Sequence, residues 1–389
     1  MTQGMTTDEL VALVRRVFAP GPGDRGLAVL VDLPDGQVPD QPEWRERRAL
    51  AAAWVEALAA RSGDLGFPVH LVAYPNVHTN NGDLPGSAWI HRGGAPPQHA
   101  GDLDPAAAVP FPQIYADHSI LIALTTFSAT APLKVAARQH PIRAATMPGF
   151  TAAMLPSLRL DYQEVNRRVE LLKGLLDRAT GADLRFRHPG GEARLHLDLR
   201  HRAAHASGGL LPRPGTAGNL PSGEAYIVPY EGERDGVPSL SEGTLPVQFG
   251  PEVVCYRIQG NVAVGVAPGG PEAAREAALL KAEPAYGNLA ELGLGVLAAF
   301  GVKPVGTVLL DEKLGLHIAF GRSEHFGGQV GPAAFSRPEA VVHIDRVYVP
   351  ETQPDVAVAD VTLALEGGEA FPLMREGDYV PGLFAGGGL

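Results

Sequence analysis

The apolar segments of this chain change pattern near its middle, and that change limits the possible folds more than any other feature. In the first half the apolar residues form short, nearly continuous runs, at 27–33 (LAVLVDL), 68–74 (PVHLVAY) and 119–126 (SILIALTT). Helical patterns lie among these runs, at 7–18, 42–61 and 132–139. A parallel sheet is covered by helices on both faces, so its strands are apolar throughout. The alternation therefore indicates an open α/β layer.

After a long amphipathic helix predicted at 161–178, hairpin patterns replace this alternation. One hairpin is predicted at 182–199, where Leu195, Leu197 and Leu199 share one face of the second strand. The other predicted elements are a hairpin at 253–266, a helix at 271–282, and strands at 305–310, 316–320, 340–349 and 356–365. We therefore predict a mixed α+β and α/β fold, with an open α/β domain at 1–180 and a β-rich domain with segregated helices at 181–389.

Composition and charge narrow the classes of function. The 389 residues carry a formal net charge of −11, which disfavours nucleic-acid and anionic-membrane partners because both attract basic surfaces. The single cysteine, Cys255, allows neither an intrachain disulfide nor a cysteine-rich zinc site, so any metal ligands are His, Asp and Glu. The stretch 120–133 is too short to span a bilayer and no secretion signal is visible, so we expect a cytoplasmic protein.

A His-x-Asp pair in an apolar strand is the first candidate for chemistry. Residues i and i+2 of a strand share a face, so His343 and Asp345 are placed to bind one metal ion. The surrounding residues are apolar, and a polar pair in such a strand needs a partner. A second His-x-Asp pair, His196 and Asp198, falls on the polar face of the first hairpin, where we expect solvated surface.

Three further segments carry acids or histidine among apolar residues. His317 lies in an apolar strand and, taken alone, is as well explained by a hydrogen-bonded core histidine. Glu312 and Glu224 fall in turns, and Glu291 is typical of a carboxylate at a helix end. The run 293–298 (GLGVLA) matches a dinucleotide-binding fingerprint, but the preceding residues do not resemble the hydrophobic strand that this motif requires.

Taken together, four segments resemble motifs of the aminopeptidase T family of thermophilic metallo-aminopeptidases. In the family's order they are NLPSGE at 219–224, AELGLG at 290–295, DEKLGLHIAFG at 311–321 and VHID at 342–345. Each motif is modest alone, but four in order are specific. The resemblance covers about residues 140–389 and is much weaker before them, where only the α/β pattern agrees.

The resemblance implies a metal-dependent aminopeptidase that removes N-terminal residues from peptides and forms a homodimer. It implies two divalent ions, of Zn, Co, Mn or Mg, in the C-terminal domain. Glu312 would be the general base that activates the attacking water bound by the ions. Glu224 would be a ligand shared by both ions. The implied ligand set is Glu224, Glu291, His317, His343 and Asp345.

One position departs from the family pattern. The family shows a tyrosine seven residues after the histidine of the third motif, and this chain has Glu324 there, with His325 next to it. We expect His325 to take the place of that tyrosine, as a ligand or as a donor to the transition state. Glu324 is the alternative.

Two other functions stay open. The residues His317, His343 and Asp345 would suffice for the two-His, one-carboxylate site of a mononuclear non-haem iron dioxygenase. Some proteins of similar fold are dioxygenases that cleave hydroxylated pyridine rings. The additional acids, Glu224 and Glu291 among them, argue against that site. The missing tyrosine leaves room for a non-catalytic relative that binds less than one ion per chain.

Overall fold

The computed structural model describes residues 4–386 and divides the chain into two units. Unit 1 is formed by the chain up to Glu164 together with Gly209–Ser222, and unit 2 by Val165–Gly208 together with the chain from Gly223 onward. Residue 180, the predicted boundary, lies inside unit 2. The chain returns to unit 1 for a short segment, which a local sequence pattern does not reveal.

The helices, in chain order, are α1 (Thr7–Phe18), α2 (Pro42–Ala59), α3 (Ser62–Leu65), α4 (Phe111–Asp117), α5 (Thr130–Gln139), α6 (Tyr162–Arg178), α7 (Pro271–Ala282) and α8 (Val308–Asp311). The strands are β1 (Leu27–Leu33), β2 (Val69–Pro75), β3 (Ser87–His91), β4 (Val109–Pro110), β5 (Ile120–Ala123), β6 (Arg143–Thr146), β7 (Ala179–His188), β8 (Gly191–Asp198), β9 (His205–Ser207), β10 (Thr216–Asn219), β11 (Glu224–Ile227), β12 (Glu242–Phe249), β13 (Glu252–Gln259), β14 (Val262–Val266), β15 (Leu289–Gly295), β16 (Leu316–Gly321), β17 (His343–Val347), β18 (Ala357–Leu365), β19 (Ala370–Arg375) and β20 (Asp378–Tyr379). Among the described residues, no helix combines the length and the apolar character needed to cross a membrane.

Unit 1 contains a seven-stranded sheet in the order β10-β6-β5-β1-β2-β3-β4. The strands from β10 to β2 pair in parallel, and β3 and β4 extend the sheet in the antiparallel direction. Every residue of β1 is buried, as expected of a strand covered on both faces. The predicted α/β layer is therefore confirmed.

Unit 2 contains two antiparallel sheets, of five strands in the order β17-β16-β15-β11-β9 and of eight strands in the order β14-β13-β12-β8-β7-β18-β19-β20. Strand β16 shows how they pack. Phe320 is buried and its ring centroid lies 5.0 Å from that of Tyr256 on β13, so this face of the five-stranded sheet meets the eight-stranded sheet. The alternate residues of β16 point to the opposite face, where the candidate site lies. A β-rich second part with few helices is confirmed.

Two local predictions in unit 2 were wrong. The predicted strand at 305–310 is a bend followed by the short helix α8, because the Asp311 carboxylate accepts hydrogen bonds from the backbone N–H groups of Val305 and Gly306 at 2.8 and 2.9 Å. The segment around Glu291 is strand β15, not a helix end. Its glycines hid the strand pattern, since glycine is uncommon inside strands.

Candidate metal centre

The five predicted metal ligands lie on one face of the five-stranded sheet. Alternate residues of a strand share a face, and so do residues opposite each other on antiparallel neighbours. The register places on this face Glu224 of β11, Glu291 of β15, His317 of β16, and His343 and Asp345 of β17. The apolar residues between them point to the other face. The alternation within each strand thus brings together residues that are far apart in the sequence.

Two glycines of β15 make room for this arrangement. Gly293 lies opposite His317, and a Cβ atom on Gly293 would overlap the imidazole Nε2 and lie 2.6 Å from its Cδ2. A Cβ on Gly295 would lie 2.6 Å from the backbone nitrogen of Leu314, in the turn before β16. Both glycines of the dinucleotide-like pattern therefore lie in a strand. The missing side chain of Gly293 leaves space for the His317 ring, and that of Gly295 leaves space for the turn before β16.

The ligand atoms form two groups that share Glu291. In each group the atoms lie within 4.8 Å of one another; the first comprises Glu224, Glu291 and His317, and the second Glu291, His343 and Asp345. Oε1 of Glu291 is 3.2 Å from Nε2 of His317, and Oε2 of Glu291 is 3.2 Å from Nε2 of His343. The carboxylate between the two imidazoles is thus that of Glu291, and Glu291, not Glu224, is common to both groups.

Each group contains one buried carboxylate oxygen that has no hydrogen-bond partner within residues 4–386. These oxygens are Oε2 of Glu224 and Oδ1 of Asp345, and the nearest imidazole nitrogen, Nε2 of His317 and of His343 respectively, lies 3.5 Å from each. Their side chains are 8% and 5% exposed, and a buried polar atom without a partner costs free energy. A cation would meet this need, and carboxylate oxygen together with imidazole nitrogen suits Zn and related divalent ions. The residues present therefore fit divalent metal ions.

A buried lysine links Glu312 to the first ligand group. The side chain of Lys313 is 1% exposed, and its Nζ donates hydrogen bonds to Oε1 of Glu224, at 2.5 Å, and to Oε1 of Glu312. Burial raises the pKa of Glu312 to about 8, with the carboxylates of Glu224 and Asp345 adding to the rise and the Lys313 ammonium opposing it. Glu312 is therefore the carboxyl group of the site that takes up a proton most readily, and cations bound beside it would favour the ionised form that a general base needs.

The carboxylates hold the two imidazoles of the site. Burial opposes protonation of His317, but Glu291 and Glu224 outweigh burial and raise the pKa of His317 to about 9. Burial opposes protonation of His343 as well, but Asp345 and Glu291 outweigh it and raise the pKa of His343 well above its usual value. Burial also opposes ionisation of Glu291, yet its hydrogen bonds with the two histidines lower its pKa to about 2. Glu291 is thus ionised at neutral pH, as a metal ligand must be.

The two candidates for the tyrosine position lie in the loop after β16. The His325 side chain is 33% exposed, and its ring centroid is 5.3 Å from that of His343, edge to face. Burial, together with the positive charges of His343 and Arg322, lowers the pKa of His325 to about 4, so the ring is neutral at pH 7. The Glu324 carboxylate accepts two hydrogen bonds of 2.6 Å from Arg322. The side chain next to a predicted ligand is therefore that of His325.

The loop that carries His325 is held over the ligand face. Glu231, 6% exposed, accepts a hydrogen bond of 2.5 Å from the Ser323 hydroxyl at the start of the loop. The ring centroid of Phe326 lies 4.8 Å from that of Tyr226 on β11 and 5.4 Å from that of His343 on β17. Strands β11 and β17 are separated by β15 and β16, so the Phe326 ring lies above the middle of the ligand face.

The second His-x-Asp pair is not part of this site. His196 Nδ1 lies 2.8 Å from Asp183 on the eight-stranded sheet, as expected of a surface pair. The expectation of solvated surface was wrong for Asp198, which is 1% exposed. Its carboxylate accepts hydrogen bonds from the Arg200 guanidinium, at 2.6 and 2.9 Å, and from the backbone N–H of Leu240. Asp198 is the last residue of β8.

Sequence reasoning assigned no role to Lys313, Tyr226 or Gly293. A signal for Lys313 was available, since a lysine between Glu312 and an apolar strand has few ways to be buried except by pairing with acids. Tyr226 follows Glu224 at strand spacing, which was a signal that both share a face. The need for Gly293 could not be read locally, because the ring that it admits comes from another strand.

The comparisons with known proteins agree with the fold. No family model and no curated protein matches the chain. The 2,5-dihydroxypyridine dioxygenase from Pseudomonas putida KT2440 is similar in structure, with a TM-score of 0.60, 16% identity, and 96% of each chain covered. AmpT from Thermus thermophilus has a TM-score of 0.54 and 17% identity, and the match covers 96% of this chain and 98% of AmpT. At such identities the similarity shows a common fold only.

Proposed function

We propose that this chain is a metal-dependent aminopeptidase that releases N-terminal residues from peptides at a site for two divalent ions. The proposal is carried by the two ligand groups that share Glu291, each of which has one buried carboxylate oxygen without a hydrogen-bond partner. Neighbouring groups joined by one carboxylate suit two ions about 3.5–4 Å apart. The motif resemblance to the aminopeptidase T family and the fold shared with AmpT support the same function.

The two ligand groups define what each residue would hold. Glu224 and His317 would bind one ion and His343 and Asp345 the other, with Glu291 between them. When bound, such ions polarise the scissile carbonyl group and lower the pKa of the attacking water. The carboxylates of the chain offset most of the positive charge.

The remaining residues of the site move protons and contact the substrate. Glu312 accepts the proton of the attacking water and returns it to the departing amine. Lys313 fixes the Glu312 carboxylate through its hydrogen bond and stabilises the ionised form. His325, neutral and partly exposed beside His343, contacts the bound peptide from the loop.

A ring-cleaving iron dioxygenase is the second candidate, and the structural similarity to 2,5-dihydroxypyridine dioxygenase favours it. Its site would use His317, His343 and Asp345. Among the described residues these three do not form a ligand group by themselves, since both imidazoles face Glu291. A single iron ion would also leave Glu224 without a function. These contacts favour the aminopeptidase.

Metal content and turnover test the proposal together. The purified chain is loaded with Zn or Co, its metal content is measured by elemental analysis, and hydrolysis of a panel of aminoacyl p-nitroanilides, leucine included, is followed. We expect two ions per chain and turnover. Glu312→Gln removes the proton acceptor but no predicted ligand, so it should keep both ions and lose turnover by about 10²-fold or more.

Glu351→Gln is the matched control, because Glu351 pairs with Lys303 at the surface and the same atoms change. It should leave turnover unchanged. A loaded chain with no turnover on the panel would refute the aminopeptidase. Oxygen uptake by the Fe(II)-loaded chain with 2,5-dihydroxypyridine would establish the second candidate. Metal content below one ion per chain would indicate a non-catalytic relative.

The other expectations from the sequence stay predictions. These are a homodimer, a cytoplasmic location, peptide substrates, and no nucleic-acid or membrane partner. Light scattering coupled to size-exclusion chromatography tests the first of them.

A further inference from the structure

We propose that the hydroxyl group of Tyr226 donates a hydrogen bond to the carbonyl oxygen of the bound peptide as that oxygen gains negative charge. This role rests on the proposed aminopeptidase function and adds a catalytic residue to it. Attack on a peptide carbonyl places charge on its oxygen, and a fixed donor aimed at this charge lowers the barrier. The phenol keeps its proton throughout, so no further group is required.

The strand register places Tyr226 among the ligands. It lies two residues after Glu224 on β11 and therefore shares the ligand face. It is opposite Gly293, whose neighbour on the other side is His317. Because Gly293 has no side chain, no side chain of the sheet stands between Tyr226 and the imidazole of His317.

The ring of Tyr226 is fixed by packing. It is 9% exposed, stacks on the imidazole of His205 with centroids 5.1 Å apart, and contacts Phe326 at 4.8 Å. Nε2 of His205 in turn lies 3.0 Å from the backbone oxygen of Phe326. Three rings from β9, β11 and the loop after β16 therefore support one another, and the phenol has little freedom to turn away.

The hydroxyl group of this fixed ring has no hydrogen-bond partner within residues 4–386. Buried tyrosines ordinarily find a partner for their hydroxyl group. Other buried tyrosines of unit 2 do so: Tyr230 donates to Val237 and Tyr348 to Pro246. A fixed phenol with a free O–H on the ligand face is a donor without an internal acceptor.

Two other donors beside the ligands are already engaged. Lys313 donates to Glu224 and Glu312. Nε2 of His343 faces Glu291, while its Nδ1 lies 2.8 Å from the backbone oxygen of Arg322. Tyr226 is therefore a neutral donor on the sheet itself that a substrate can use without breaking a contact of the fold, while His325 approaches the same face from the loop.

Tyr226→Phe tests the role, with Tyr348→Phe as the matched control. Both variants lose one hydroxyl group from a buried ring. We expect Tyr226→Phe to keep the melting temperature, the metal content and KM for leucine p-nitroanilide, and to lower kcat by about 10²–10³-fold. Tyr348→Phe loses the hydrogen bond from the Tyr348 hydroxyl group to the backbone oxygen of Pro246, so it should lower the melting temperature and leave kcat unchanged.

Inhibition gives a readout that a structural role would not move. The phosphonic acid analogue of leucine is tetrahedral and anionic, so Tyr226→Phe should weaken its inhibition at least tenfold while inhibition by leucine stays the same. Active wild type with equal kcat and equal inhibition in Tyr226→Phe would overturn the role of Tyr226 alone. Inactive, metal-loaded wild type would overturn the proposed function and this role with it.

Discussion

Replacing Gly293 by alanine should remove one of the two metal ions and spare the other. A Cβ at this position would overlap Nε2 of His317 and lie 2.6 Å from its Cδ2. Carbon atoms pack at about 3.5–4.0 Å, so the ring must move by about 1 Å or more. Metal–ligand distances tolerate only about 0.2 Å, and His317 would cease to be a ligand. Gly293 does not have a positive φ, so alanine is compatible with the strand backbone.

The effect should be confined to the group of Glu224, Glu291 and His317. Weakening a metal site through its supporting contacts costs about 10–100-fold in affinity, and losing a ligand costs at least that much. We expect elemental analysis at limiting metal to give one ion per chain in Gly293→Ala and two in the wild type. The matched control is Gly265→Ala on β14, where a Cβ would meet only the end of the Arg257 side chain, at 3.7 Å. Two tightly bound ions in Gly293→Ala, or an equal loss in Gly265→Ala, would refute the reasoning.

Two further predictions concern buried charges. Lys313→Met leaves Glu224 and Glu312 without their shared cation, so it should destabilise the metal-free protein by about 3–5 kcal/mol, and added Zn should restore more stability than in the wild type. Thermal unfolding with and without a chelator measures this, and equal melting temperatures without metal would contradict it. Hydrogen bonds with Arg200 outweigh burial and lower the pKa of Asp198, so its folded-state pKa lies below the unfolded value. Asp198→Asn should cost about 1.5–3 kcal/mol at pH 7, and this difference should shrink as the pH falls below about 4. Urea unfolding between pH 7 and pH 3 tests the sign, and a difference that grows on acidification would contradict it.

Local sequence patterns predicted the parts of the site that depend on one strand. His343 and Asp345 were placed on one face by their spacing alone, and β17 carries them so. Continuous apolar runs predicted β1 and β2 because strands buried on both faces admit little else. These features depend on how often apolar residues recur along one strand, and a short stretch of sequence is enough to show this.

The parts that depend on pairing between distant segments were missed. Strand β15 looked unlike a strand because Gly293 and Gly295 serve a ring and a turn from elsewhere in the chain. Its Glu291 became the shared carboxylate only through its position between the strands that carry His317 and the second ligand pair. Such roles follow from the register between paired strands, and this register cannot be read from the spacing of residues along one strand.

Strand β10 makes the completion of unit 1 wait for residues that are synthesised late. Within residues 4–386 its sole neighbour in the sheet is β6, and β10 covers the outer edge of β6 in parallel register. At about 5–20 residues per second, the roughly 70 residues between these strands take about 4–15 s to emerge from a ribosome. Through that interval β6 is an open edge, the kind of surface on which chains pair wrongly. A fragment that stops at residue 180 would keep this edge permanently, so aggregation of the isolated N-terminal part would reflect a missing strand rather than an unstable core.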